Sequence, residues 1–179
     1  MTFHAGDRVF VDESKTRGYW ITATATAPAV MPENDKRLRQ LLKPGQRRLH
    51  FTKESPQRRR ALLSAMVDLD ARVAVFSISG VRDTYARPAC LRALVQHAVR
   101  DDIQEVVLER DDSLSVHDRR VIAAAIRTHQ TRTEFRYRHA SPHEFPLLWV
   151  SDAVAWSYAK GGDWRRRAAP LVGDRHYRL

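Results

Sequence analysis

The order of apolar runs along the chain constrains its fold most. Val9-Phe10-Val11 is a short β-favouring run that stops at Asp12-Glu13-Ser14, and Lys15-Thr16-Arg17-Gly18 reads as a turn. From Trp20 to Ala27 the residues alternate, with Ile21, Ala23, Ala25 and Ala27 on one face and Thr22, Thr24 and Thr26 on the other. That period of two predicts a half-buried strand, and two strands joined by a glycine-containing loop predict an N-terminal antiparallel hairpin. Helical and strand patterns then take turns. Helices are expected at Pro32 to Leu42, at Pro56 to about Leu69 behind the Ser55 cap, at Pro88 to Val99, at Ser115 to about His129 and at Pro146 to Ala159. Strands are expected at Val73 to Ile78, Val106 to Leu108 and Thr133 to Arg138, with Arg48 to Phe51 as a short edge strand. The stretch after Gly161-Gly162 reads as a basic, irregular tail. A hairpin followed by alternating helices and strands implies an α/β fold with a mixed sheet, its later strands parallel and its helices flanking.

The 179 residues fit one domain, expected to span residues 1–179 with the basic tail from about 161. They can bury a core without disulfides, and the single cysteine, Cys90, allows none within the chain. No run approaches the roughly 20 apolar residues of a membrane span. Gly18 to Pro32 is rich in Thr and Pro, and Asp152 interrupts Phe145 to Ala159. The N-terminus lacks a signal-peptide layout, so a cytoplasmic protein with no membrane partner is expected.

Charge narrows the partner. The formal net charge is +10, and residues 36–60 set ten basic side chains against one acid, Glu54. Arg47, Arg48, Lys53, Arg58, Arg59 and Arg60 are read from this cluster as phosphate contacts. Arg165 and Arg166, beside Trp164, add a second basic patch suited to single strands or splayed bases. Nucleic acid, DNA or RNA, is the expected partner; a solvated basic helix face is the plainer alternative for either cluster.

Three acids stand where chemistry is usually built. Asp12 and Glu109 each end an apolar strand; if those strands are parallel neighbours, both side chains emerge at the carboxyl rim, where open α/β sheets place ligands. Asp152 is the lone charge in the apolar stretch from Phe145 to Ala159, and a buried carboxylate needs a cation, a donor set or a proton. Converging carboxylates repel unless cations lie among them, and hard oxygen ligands favour Mg²⁺ or Mn²⁺. Two such ions can clamp a phosphodiester. Each acid has a bland reading as well. Asp12 can begin a turn with Ser14, Glu109 can open the loop Glu109-Arg110-Asp111-Asp112, and Asp152 with Ser151 can cap a later helix. Secondary candidates are Glu13, expected on the face opposite Asp12; Glu144 and Asp118, each three residues after a serine in a capping-box pattern; Lys53 as a phosphate contact; and His50 as a proton shuttle. There is no GxxxxGK[ST] loop, GxGxxG, CxxC, HExxH or serine nucleophile elbow.

The order of these motifs resembles a large uncharacterised bacterial family with an RNase H-like fold, in its actinobacterial-type branch. The residues that carry the resemblance are Val11-Asp12-Glu13-Ser14, Arg47-Arg48-Leu49-His50-Phe51, Val107-Leu108-Glu109, Leu148-Trp149-Val150-Ser151-Asp152-Ala153-Val154-Ala155-Trp156 and Gly161-Gly162-Asp163-Trp164-Arg165-Arg166. The resemblance implies an RNase H-like core in which Asp12, Glu109 and Asp152 match the presumed metal-binding acids. Lys15 departs from the family's usual glycine after Asp-Glu-Ser and puts a cation near them. The expectation is a divalent-metal-dependent nuclease. The alternatives are a catalytically silent nucleic-acid-binding module, or an interaction component of a mobile-element, toxin or defence system.

Overall fold

The computed structural model describes residues 1–111, 115–127 and 135–179. Among the described residues six strands form one mixed sheet in the order β5-β4-β1-β2-β3-β6. They are β1 Arg8–Ser14, β2 Tyr19–Thr26, β3 Arg72–Ile78, β4 Glu105–Glu109, β5 Arg136–Ala140 and β6 His176–Arg178. The helices among the described residues are α1 Met31–Gln40, α2 Pro56–Val67, α3 Asp83–Arg100, α4 Ser115–Arg127, α5 Leu147–Lys160 and α6 Gly162–Val172. β1 and β2 make the expected antiparallel hairpin, with Asp12 opposite Thr22. β4 joins β1 in parallel, β5 joins β4 in parallel, and β6 runs parallel to β3. No described helix is long and apolar enough to cross a membrane.

Each face of the sheet carries its own core. On one side Phe10, Val73, Val75 and Val107 pack under α5, α2 and α6; on the other Val9, Val11, Ile21, Ala74, Phe76, Val106 and Leu108 pack under α3 and α4. This corrects the half-buried reading of β2. Its threonine face is as buried as its Ile/Ala face, because α5 covers it. The buried hydroxyls are satisfied by specific partners, as burial requires. Thr22 Oγ1 donates to the Ser151 carbonyl at 2.8 Å, and Thr24 Oγ1 meets Ser151 Oγ at 2.7 Å. Ser151 Oγ in turn donates to the Phe10 carbonyl at 2.8 Å. Thr26 Oγ1 donates to the Asp70 carbonyl at 2.8 Å and accepts from the Asn34 amide at 3.0 Å.

Other expectations shift. Ser55 does cap α2, accepting from the Arg58 N–H. Arg48 to Phe51 is not an edge strand: it runs extended into a 3-10 turn at Phe51–Lys53, and its backbone turns toward α5 instead of a ladder. α3 starts at Asp83, five residues before Pro88, so the proline lies inside the helix and not at its first position. α5 begins without a side-chain cap, so the Ser141–Glu144 capping box does not form; Glu144 donates its N–H to the Ser141 carbonyl within a turn. The tail after residue 161 is ordered, not irregular. Ala168, Leu171 and Val172 recur at helical spacing beneath the arginines and pack into the core, and β6 then pairs with β3. The expected end of α4 at His129 and the start of the strand at Thr133 lie outside the described residues.

Ser151 links α5 to both β1 and β2. Ser151→Ala is expected to lower unfolding free energy by about 1–3 kcal/mol, measured by urea titration, because it orphans the buried Thr24 hydroxyl. A loss indistinguishable from zero would contradict this linkage.

Candidate functional site

The parallel register of β1 and β4 aligns Val11 with Leu108, so Asp12 and Glu109 follow as neighbours at the carboxyl ends of two adjacent strands. Phe10 and Val107, two residues earlier on each strand, point under α5, and the period of two sends Asp12 and Glu109 to the same side. Asp152 comes down onto that rim from α5, one residue after the Ser151 linkage. The three acids share the wall of a cleft of about 390 Å³ with Lys15, Arg48, His50, Trp149 and Trp156.

Each acid has a different electrostatic setting. The Asp12 carboxyl is pushed well above the ordinary carboxylate range, first by burial and then by the charges of Glu109 and Asp152. A hydrogen bond shared with Glu109 acts in the same direction, and Arg48 opposes. Asp12 Oδ1 also accepts the Glu13 N–H at 2.7 Å. Asp152 Oδ2 accepts the Phe51 N–H at 2.9 Å and lies 3.5 Å from His50 Nδ1. Glu109 Oε1 is 3.3 Å from Arg48 Nη1. Among the described residues no three His, Cys, Asp or Glu side chains close into a metal cage as they stand. The donor set nonetheless fits a hard cation: all three ligands offer carboxylate oxygens, and a carboxyl driven toward its neutral form by burial and by two neighbouring acids marks a site short of positive charge.

Glu13 points to the opposite face, as its place in the strand requires. There Tyr19 Oη donates to Glu13 at 2.5 Å, and Arg87 also pairs with Glu13. Arg87 is buried and grips Asp118 with two bonds of 2.7 Å, donates to Tyr19 Oη at 3.0 Å, and leaves Asp118 3.3 Å from His139 Nε2. Asp118 is therefore held by Arg87, which keeps its carboxyl below the ordinary range despite burial. Arg87 escaped the sequence reading. Its signal was legible: it lies on the helical stripe of Leu91, Leu94 and Val95, where an arginine must be buried with a partner. Glu13, Arg87, Arg110 and Asp111 line a second cavity of about 380 Å³, which also reaches Asp12 and Glu109.

The basic candidates divide. Arg58 donates to the Leu41 carbonyl, and Arg59 donates to the Phe51 carbonyl at 2.8 Å and lies 4.3 Å over the Trp156 ring. Arg165 contacts His176 Nδ1 at 3.0 Å and the Tyr158 ring at 4.9 Å. These three guanidinium groups are engaged with partners inside the fold. Arg47, Lys53 and Arg60 are exposed, Arg60 lying 5.6 Å over Trp164; Arg166 is exposed but paired with Asp163. Lys53 and Glu144 do not line the cleft, and Lys15 pairs with Glu13 at 3.2 Å rather than with the three acids.

No family model matches the chain, and no curated protein matches it. Solved structures do. A chain from the PCNA:RNase HII complex of Archaeoglobus fulgidus aligns over 86% of this chain and 73% of its own, with TM-score 0.54 and 14% identity. A single-substitution variant of Bst-RNase HIII aligns over 94% of this chain and 53% of its own, with TM-score 0.48 and 12% identity. At 14% identity the first likeness shows the fold alone, and that fold is the RNase H-like α/β sheet.

Two outcomes follow from this geometry. With its carboxyl raised, the folded protein keeps the Asp12 proton where the unfolded chain has released it, so stability falls as pH rises from the ordinary carboxylate range through the raised value. Asp12→Asn removes that loss. In metal-free buffer near neutral pH the variant is expected to be more stable than wild type by on the order of 1 kcal/mol, with the gap closing near about pH 4. Equal thermal midpoints at neutral pH would contradict it. Asp118→Ala removes one of the two carboxylates that hold buried Arg87, leaving Glu13, and is expected to cost about 1–3 kcal/mol by denaturant titration.

Proposed function

We propose that this chain is a divalent-metal-dependent nuclease that hydrolyses phosphodiester bonds in DNA or RNA. It would form a single RNase H-like domain across residues 1–179, of the uncharacterised bacterial family that opens with a hydrophobic-Asp-Glu-Ser strand. The observation that carries the reading is the meeting of Asp12, Glu109 and Asp152, from two parallel strands and one helix, on one cleft. The RNase H-like fold and the concentration of positive charge in residues 36–60 support it.

Asp12, Glu109 and Asp152 would hold Mg²⁺ or Mn²⁺. Bound there, the cation would supply a low-pKa water and offset charge gathering on the phosphoryl oxygens. The chain's own residues do the rest. The Phe51 N–H holds the Asp152 carboxylate by binding Oδ2. Trp149, held by its indole N–H on the Pro142 carbonyl at 2.7 Å, and Trp156 wall the cleft with apolar surface. The exposed Arg47, Lys53 and Arg60 would serve as contacts for flanking phosphates. The tight Glu13–Tyr19–Arg87–Asp118 network keeps the end of β1 from shifting behind Asp12.

The test is cleavage of end-labelled single-stranded, duplex and hybrid DNA and RNA with Mg²⁺, Mn²⁺ or EDTA. Metal-dependent cleavage is expected, falling at least ~100-fold in both Asp12→Asn and Asp152→Asn. Salt-sensitive binding without cleavage under any metal, unchanged in both variants, would instead identify a silent binding module. Weak binding to every nucleic acid would point to an interaction component.

A further inference from the structure

Four consecutive residues between α1 and α2 bring three donors to the acids. Leu49 and Phe51 are buried and anchor the segment, while Arg48 and His50 alternate with them and stand over the cleft about a third exposed, at 36% and 39%. Arg59 braces the same stretch through the Phe51 carbonyl. Of the three donors, the Phe51 N–H is fixed backbone and His50 is charged only when protonated; Arg48 alone is a permanent cation. Among the other cations lining the cleft, Lys15 is occupied by Glu13.

The contact from Arg48 Nη1 to Glu109 Oε1 is single rather than forked, 3.3 Å long and partly exposed. A pair of that kind is weak and exchanges by side-chain rotation alone. It nonetheless places positive charge on a carboxylate that the proposed metal ion needs. We propose that Arg48 is the resident counter-cation of this site: it occupies Glu109 in the metal-free protein, competes with the divalent cation for that carboxylate, and swings to the substrate phosphate once displaced. This rests on the metal-site reading above. By linkage, the cation and the phosphate then strengthen each other's binding through Arg48, beyond simple neutralisation of the acids.

The test uses the full chain at one fixed pH for every variant. Mn²⁺ binding is measured calorimetrically for wild type, Arg48→Gln and Arg48→Lys, with thermal melts to confirm folding. Arg48→Gln is expected to bind Mn²⁺ roughly three- to fivefold more tightly, the upper range for a partly exposed pair, with Arg48→Lys in between. A phosphorothioate oligonucleotide is expected to gain less affinity from Mn²⁺ in Arg48→Gln than in wild type. Mn²⁺ affinity that is unchanged or weaker in a folded Arg48→Gln, or that shifts without altering the oligonucleotide's Mn²⁺ gain, overturns the role of Arg48 while leaving the metal site standing. No Mn²⁺ binding by wild type overturns both.

Discussion

The parallel pairing of β1 with β4 is the constraint on which the rest of the site depends. It takes two acids that lie nearly a hundred residues apart and makes them neighbours at one rim, pointing to one face. A slip of one residue would turn one of them to the opposite face. The pairing is held by burial on both sides, since Val9 and Val11 face α3 while Phe10 and Val107 face α5. The acid pair itself opposes folding, because burial and mutual repulsion drive Asp12 toward its neutral form. A rim so arranged sacrifices stability for a place where positive charge is wanted.

The third acid arrives by a different route. α5 is apolar on nearly every side, so hydrophobicity alone would let it slide or roll on the sheet. The buried polar linkage of Ser151 to Phe10, Thr22 and Thr24 gives it a single seating, and Asp152 is the next residue along. The threonine face of β2 and the serine of α5 therefore form one feature. The Arg87–Asp118 pair does the matching work on the other face, tying α3 to α4 and to the end of β1 through Glu13. Between them, two buried polar clusters bracket the rim from opposite sides of the sheet.

Much of the fold was legible in the chain. Apolar runs located β1, β3 and β4, the Ser-Pro pair located the start of α2, and the long apolar stretch located α5. The misreadings have a common cause. Alternating Ile/Ala and Thr looked amphipathic because threonine was counted as solvent-facing, and the arginines of 165–167 masked the apolar stripe of α6. In both cases tertiary cover, not local pattern, decided burial. Basic runs suggest phosphate contacts for Arg58, Arg59 and Arg165; in the fold their guanidinium groups also engage carbonyls, a histidine ring and aromatic faces, as arginine does wherever its planar donors find partners.

Sequence by itself determined which residues could matter: acids at strand ends and an acid within an apolar helix, in a strongly basic chain whose element order demands a mixed sheet. It did so because strand periodicity and the cost of burying charge are local properties, readable from neighbours in the chain. Only the tertiary structure decided that β4 lies beside β1, that Asp152 lands on their rim, that Asp118 belongs to Arg87 and that Arg48 rests on Glu109. Those are pairings across long loops, and they are selected by whether whole faces bury together and every buried polar group finds a partner, a condition that no single segment can state alone.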